Sequence, residues 1–235
     1  MRIEHVPRGW FVAALLPLLS ACGVTDSTGE ALQALGDYQE GLITFYDVNG
    51  PVNCGYKLGA SENIAAMNTG QYQNSAVCGA CVEIEGPKGT LVARIVDSCP
   101  TCPEKGHLDL GRQTFAKIAN PDDGRVKVRW RLVSCEVQGP VRYYFKESSS
   151  AYWAAIQVLN HRLPVAKLEY WKDNAWVAIP RESYNYFTQR DLGTGPLKLR
   201  VTASDGQTLE DTLPGVASNK TYDGAAQFKA TPGKL

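Results

Sequence analysis

Two stretches of this chain hold the side chains best suited to chemistry. The first reads Val96-Asp97-Ser98-Cys99-Pro100-Thr101-Cys102 and is followed by His107-Leu108-Asp109-Leu110. It sets two carboxyls, Asp97 and Asp109, on either side of a loop that two cysteines can pin. The second, Ser150-Ala151-Tyr152-Trp153-Ala154, offers adjacent aromatics at the start of a strand. A carboxylate accepts hydrogen bonds from hydroxyls and, once protonated, also donates one. Flat rings cover other apolar ring faces. An acid-bearing pocket joined to an aromatic platform matches what gripping a polysaccharide requires.

The elements that must position these groups are mostly short strands. Leu42 to Tyr46 reads as a strand, and Cys81 to Glu85 with Leu91 to Val96 as a hairpin about Gly86-Pro87-Lys88-Gly89. Gly111 to Ile118 is the one good helix candidate, and Val126 to Leu132 alternates as a half-buried strand. Many short strands with one helix predict a small β-barrel over 40–138. After Gly139-Pro140 the cysteines stop. Val141 to Lys146, Trp153 to Asn160, Ala166 to Trp171, Trp176 to Ile179, Leu197 to Thr202 and Thr208 to Leu213 read as strands without helices, predicting a β-sandwich over 139–235. With almost no linker at Gly139, the two units are expected to hold a fixed relation.

Bulk composition narrows the function. Lys+Arg and Asp+Glu both number 24, so no strong field calls for nucleic acid. Residues 1–22 read as a targeting segment: Arg2 and Arg8 precede the apolar run from Trp10 to Leu19, too short for a permanent span. The run ends Leu19-Ser20-Ala21-Cys22, which resembles a bacterial lipobox with Cys22 as the lipidated residue, the alternative being an ordinary secretory signal. The mature chain is expected to be exported, held to a membrane only through that anchor or secreted, and to act as a monomer. Residues 23–39, with three acids and no bases, read as a flexible tether. Cys54, Cys78, Cys81, Cys99, Cys102 and Cys135 remain, an even set that in an exported chain reads as three disulfides with fifteen possible connectivities. The spacings Cys78-x-x-Cys81 and Cys99-x-x-Cys102 also suit half-knuckles of a zinc site, but oxidised thiols are the expectation, with no metal and no cofactor.

In order along the chain, Thr44-Phe45-Tyr46, Cys78-Gly79-Ala80-Cys81, Val96-Asp97, His107-Leu108-Asp109-Leu110, Trp130-Arg131, Tyr152-Trp153-Ala154-Ala155-Ile156-Gln157, Tyr184-Asn185 and Leu192-Gly193-Thr194-Gly195-Pro196 resemble the bacterial expansins. Those are wall-loosening proteins with a six-stranded double-psi β-barrel followed by an immunoglobulin-like cellulose-binding sandwich. The resemblance implies that loosening depends on Asp109, that Asp97 lies across the same groove, and that Thr44 and Tyr46 line its floor. It implies a sugar-stacking row of Tyr152, Trp153 and Tyr184, with Lys146 a candidate polar contact. The cysteine-bearing plant branch implies pairs Cys54–Cys78 and Cys81–Cys135, leaving Cys99–Cys102 as a local clip. Ser98-Cys99 stands where many bacterial relatives carry a tyrosine, so a stacking ring beside Asp97 is missing. The implied partners are cellulose and related plant-wall glucans or xyloglucan. Peptidoglycan is the target of a rival, a lytic transglycosylase on the same barrel.

The barrel also resembles family-45 endoglucanases, which use two carboxylates, one as acid and one as base. Asp109 fits the acid. Asp47 directly follows Tyr46, one position early for the base, and a one-residue slip turns a strand side chain to the other face. Asp47 is therefore read as a turn residue and hydrolysis as absent. An inert binding module is the remaining alternative. Regular strands expose only one of two adjacent residues, so Tyr152 and Trp153 need a bend, which Ser148-Ser149-Ser150 permits. Tyr170, Trp171 and Trp176 are assigned to core and hairpin packing, His107 to hydrogen bonding rather than to a base, and Asp109 has a rival role as a helix cap.

Overall fold

The computed structural model describes residues 36–231, besides Met1. The leader, Cys22 and the tether up to Leu35 lie outside the described residues. The first six strands are β1 (Gln39–Tyr46), β2 (Ile64–Asn68), β3 (Cys81–Gly86), β4 (Gly89–Cys99), β5 (His107–Gly111) and β6 (Val126–Val133), with helices α1 (Thr69–Tyr72) and α2 (Arg112–Ile118). They close into a barrel in the order β1-β5-β2-β4-β3-β6. β1 pairs with β5 and β2 with β4 in parallel, whereas β3 lies antiparallel to both β4 and β6. Parallel neighbours far apart in sequence require crossing connections, as a double-psi barrel does.

Alternation explains the packing. Ile43, Leu108, Leu110, Ile84 and Trp130 point inward from their strands and are fully buried, as is Phe115 of α2. The Trp130 indole N–H donates to the Gly106 carbonyl at 2.8 Å, so the largest core side chain leaves no polar atom unpaired.

The second unit contains β7 (Arg142–Phe145), β8 (Trp153–Leu159), β9 (Val165–Lys172), β10 (Ala175–Ala178), β11 (Phe187–Arg190), β12 (Leu197–Ala203), β13 (Thr208–Leu213) and β14 (Lys220–Asp223). These form two four-stranded sheets, β10-β9-β12-β13 and β11-β8-β7-β14. One core joins them, with Tyr143, Phe145 and Ile156 from one sheet meeting Leu168, Leu199 and Val201 from the other. The fold is therefore mostly β: a closed six-stranded barrel followed by a β-sandwich.

Tyr170 is buried, but Trp171 is 41% exposed. Trp171 and Trp176 meet edge to face across the β9–β10 hairpin, with Lys198 over both rings. The pair packs the hairpin from outside and does not fill the core, because Trp171 falls on the strand face opposite Leu168 and Tyr170.

Three disulfides join Cys54 to Cys78, Cys81 to Cys135 and Cys99 to Cys102. The first two close loops with separations of 24 and 54 residues and contribute roughly 3–4 kcal/mol each on the chain-entropy account. The units are also stitched together by hydrogen bonds. Gln157 and Asn185 side-chain amides donate to the Cys54 carbonyl at 2.7 and 3.1 Å. Asn53 and Tyr72 donate to the Ser183 carbonyl, and Ser75 to that of Glu182. Gly55 sits at this seam with φ +70°, where an added Cβ would meet Tyr186 at 3.2 Å and Gln157 at 3.3 Å, so both backbone and space demand glycine.

Candidate functional site

Strand register assembles the groove. Thr44 on β1 lies opposite Asp109 on β5, Asp109 opposite Ala66 on β2, and Ala66 opposite Asp97 on β4. Residues directly opposite in a sheet share a face, so these four form one row across four strands. The two aspartates flank Ala66 at two strand spacings, an α-carbon separation of about 10 Å. Ala66 has only a methyl group, so space remains between the carboxyls. Tyr46 and the Cys99–Cys102 clip pack around it.

Each acid is held differently. The Thr44 hydroxyl donates to Asp109 Oδ1 at 2.5 Å, and His107 Nε2 lies 3.0 Å from the same hydroxyl. With Asp109 ionised, Thr44 gives its proton to the carboxylate and so accepts from the His107 Nε2–H. His107 Nδ1 is then bare; it has no hydrogen-bond partner and stands 3.7 Å from Glu104. Burial pushes the Asp109 carboxyl above its usual range, the Thr44 hydrogen bond opposes this, and the charge of Asp97 adds to it. Burial likewise lowers the His107 pKa, against the pull of Glu104. His107 is a strand residue that orients Thr44.

Asp97 Oδ1 accepts the backbone N–H groups of Asn53 at 2.8 Å and Ser98 at 2.9 Å, which fix the carboxylate without a cation. The Tyr46 hydroxyl is buried and has no hydrogen-bond partner. Burial, then the charges of Asp97 and Asp109, raise its pKa far above the ordinary range and keep it a neutral donor facing the acids. Asp109 does not cap α2: the cap is Gly111, with no side-chain hydrogen bond. Asp47 lies just beyond β1 and makes a two-pronged pair with Arg112 at 2.6 and 2.7 Å. The guanidinium holds its carboxyl below the usual range, opposite to what a general base needs.

The aromatic residues are placed by turns. Ser150 and Trp153 exchange backbone hydrogen bonds at 2.7 and 3.2 Å, leaving Ala151 and Tyr152 at the tip of a tight turn. Tyr152 is thus off the strand and 78% exposed, while Trp153 heads β8 and is partly exposed. Asp191 and Gly193 backbone N–H groups donate to the Tyr152 and Ala151 carbonyls and anchor the tip. Tyr184, 39% exposed, lies on the loop that Asn53, Tyr72 and Asn185 tie to the barrel. Its ring stands 5.8 Å from Tyr186, which meets Tyr144 at 6.4 Å. Lys146 lies over Tyr184 and Tyr186 at 5.8 and 5.6 Å.

Sequence reasoning named the acids and the rings and missed what connects them. Asn53 gives its backbone N–H to Asp97 and its side chain to the Tyr184 loop, so one residue serves both regions. Nothing in the local sequence marks it. Ala66 was missed because Ile64-Ala-Ala-Met-Asn is buried throughout and shows no alternation. All six described cysteines are in disulfides, and among the described residues no group of three or more His, Cys, Asp or Glu converges to hold a metal.

The Bacillus subtilis expansin YoaJ is 36% identical over 217 residues, spanning 85% of this chain and 90% of that protein. The chain belongs to the expansin family. It is also similar to expansin-like protein 5 of Dictyostelium discoideum, at 30% over 201 residues, 80% of this chain and 84% of that one. Expansin-A21 of Arabidopsis thaliana is 31% identical over 201 residues, 74% of this chain and 75% of that one. The crystal structure of apo Clavibacter michiganensis expansin superposes with a TM-score of 0.76 at 27% identity, over 83% of this chain and all of that one. A variant of that expansin was solved in complex with cellohexaose, and it matches with TM-score 0.77 at 26% identity over the same shares. A scan against protein-family models found no match.

Within this expansin-family chain, the position expected to lack a ring is occupied from elsewhere. Cys99 is tied to Cys102 and presents no aromatic. Instead Tyr184 and Tyr186 of the sandwich line one cleft together with Asp97, Ser98 and Pro100 of the barrel, a space of about 480 Å³. Rings and acid meet at the junction.

Proposed function

We propose that this expansin-family protein loosens contacts between cellulose chains, or between cellulose and xyloglucan, without cutting them. The platform of Tyr152, Trp153 and Tyr184, with Lys146 at its edge, holds the glucan through ring stacking worth on the order of 1 kcal/mol per ring. The row of Thr44, Asp109 and Asp97, with Tyr46 above Ala66, competes for the hydroxyls that bind one chain to the next. Asp109 is the working group. The observation that supports this most is the contrast between two carboxyls. Asp109 is half-buried and pushed toward its protonated form, while Asp47, placed nearest to a base, is held by Arg112. A hydrolase needs both carboxyls active.

The cellohexaose complex of the Clavibacter relative supports a glucan as ligand. The three disulfides fit an oxidising, extracytoplasmic setting. In this reading Cys22 carries a lipid, the tether ends before Gly36, the barrel runs from there to residue 138, and residues 139–235 form an immunoglobulin-like carbohydrate-binding domain; Gly36 and Tyr38, expected in the tether, are instead bound to the barrel through Leu132, Glu83 and Glu85, and Gln39 opens β1. The test is a creep assay on heat-inactivated plant wall beside a reducing-sugar assay on the same preparation. Extension without released sugar is expected. Sugar released in step with extension would identify an endoglucanase instead.

A further inference from the structure

Four polar side chains stand in line behind the groove, and the hydrogen bonds between them can run in either direction. Asp109 Oδ1 lies 2.5 Å from the Thr44 hydroxyl, which lies 3.0 Å from His107 Nε2. On the far side of the ring, His107 Nδ1 lies 3.7 Å from Glu104 Oε2. The turn that carries Glu104 is closed by the His107 backbone N–H, which donates to the Glu104 carbonyl at 3.1 Å. The histidine is buried, and its Nδ1 has no hydrogen-bond partner among the described residues. Glu104 is exposed, and both of its carboxylate oxygens accept from Arg125 at 2.7 Å. The line therefore begins in the groove and ends at solvent.

The state of Asp109 decides whether the buried nitrogen is satisfied. With Asp109 ionised, Thr44 donates to the carboxylate, His107 Nε2–H donates to Thr44, and Nδ1 turns a lone pair toward the Glu104 carboxylate. Two acceptors then face each other in a buried place, which is unfavourable. A proton added to Asp109 Oδ1 lets every bond reverse. Asp109 donates to Thr44, Thr44 donates to Nε2, and the ring carries its one proton on Nδ1, directed at Glu104. One proton is taken up from solvent, the ring stays neutral, and the facing lone pairs are gone. We propose that Glu104 and His107 are positioning residues that tie protonation of Asp109 to a reversal of this line. The charged groups around the ring are Glu104 before β5, Arg125 before β6 and Asp109 on β5, and the neutral contacts are Thr44 of β1 and Asn68 of β2. Burial lowers the pKa of His107 and so keeps the ring from taking a second proton. Asp97, across Ala66, adds its charge in favour of protonated Asp109. The reversal stands on geometry; its effect on wall loosening rests on the function proposed above.

Nitrogen NMR of the full chain with isotope-labelled histidine tests this, because a neutral ring reveals which nitrogen holds its proton. The chain has three histidines. His161 Nδ1 faces the Leu163 carbonyl at 2.8 Å and is the reference for a ring protonated there, while His107→Asn assigns the His107 signal. The His107 proton is expected on Nε2 at neutral pH and on Nδ1 once Asp109 is protonated, with one midpoint for both changes. In Glu104→Gln the amide can donate to a bare Nδ1, and the midpoint is expected to fall by about half a pH unit or more. Thr44→Val interrupts the line and is expected to leave the His107 tautomer unchanged while Asp109 titrates. Thermal melts of each variant at each pH confirm that the fold is retained. A constant tautomer in wild type, a doubly protonated ring in the same range, or a reversal that survives Thr44→Val overturns the proposal. Wall creep is followed on the same samples, and in Glu104→Gln its pH midpoint is expected to move with that of His107. Reversal without any movement of the creep midpoint would leave the line standing and count against Asp109 as the working group of loosening.

Discussion

The groove and the platform are built by opposite means. The groove is a product of register: Thr44, Asp109, Ala66 and Asp97 lie on four neighbouring strands, and each side chain's place follows from ladder pairing. The platform is a product of irregularity: Tyr152 sits on a turn tip and Tyr184 on a loop, and only Trp153 belongs to a strand. The difference suits the tasks proposed for the two regions. Polar groups that act on hydroxyls must be held within a few tenths of an ångström, which closed sheets achieve. Rings that lie on a flat surface need exposure, which a regular strand denies to neighbouring residues. The seam keeps the two in one relation, because Asn53 and Asn185 bond across it.

The largest expected effect breaks the seam that both regions share. His161 is buried there, with Nδ1 2.8 Å from the Leu163 carbonyl and Nε2 3.3 Å from the Tyr56 hydroxyl. Burial, with the charges of Arg94 and Arg181, lowers its pKa to about 4. The folded state therefore binds fewer protons than the unfolded state between about 6.5 and 4, and stability present above that window is lost as pH falls through it. The loss amounts to about 3 kcal/mol, from ~2.5 pKa units at 1.36 kcal/mol each. Denaturant midpoints at several pH values for wild type and His161→Gln measure it; a ring that titrates near 6.5 by NMR would contradict the burial argument.

A smaller effect separates the regions. Replacing Tyr152, Trp153 and Tyr184 together by Ala removes the stacking surface and leaves the row about Ala66 intact. Cellulose retention should fall at least tenfold, about 1.4 kcal/mol or more. Tyr152 is 78% exposed and contributes little to stability, whereas Tyr184 and Trp153 are partly buried, so a modest fall in the melting temperature is expected with the fold retained. Binding that survives the triple substitution would move the platform elsewhere, with Trp171 and Trp176 the next surface to change.

Legibility followed the same division. The barrel hairpin, α2 and six sandwich strands could be read from alternation and turn residues. Strand β2 could not, because Ile64 to Asn68 is buried on both faces and carries no period. Strands β11 and β14 are four-residue edges that bury little, and their sequences resemble loops. Asp97 and Asp109 were found as residues, but their meeting across Ala66 depends on two pairings of β2, antiparallel with β5 and parallel with β4, between strands far apart in sequence. The exposure of Tyr152 required a turn that the serines allowed and did not dictate. Tyr170, Trp171 and Trp176 were read together as core and hairpin packing, and which of them takes which role was not legible, since hydrophobicity alone does not tell which face of a strand a ring takes: Tyr170 is in the core and Trp171 packs the hairpin with Trp176.

The central claim is that gripping and loosening are separate acts of separate regions, and Asp109→Asn tests it most directly. The change keeps the shape and the hydrogen bond from Thr44 while removing the ionisable proton. Retention on crystalline cellulose and wall creep are measured on one preparation of wild type and variant. The account predicts retention within about twofold of wild type, under ~0.5 kcal/mol, together with loss of creep. Creep and retention falling together, or creep persisting undiminished, would contradict it.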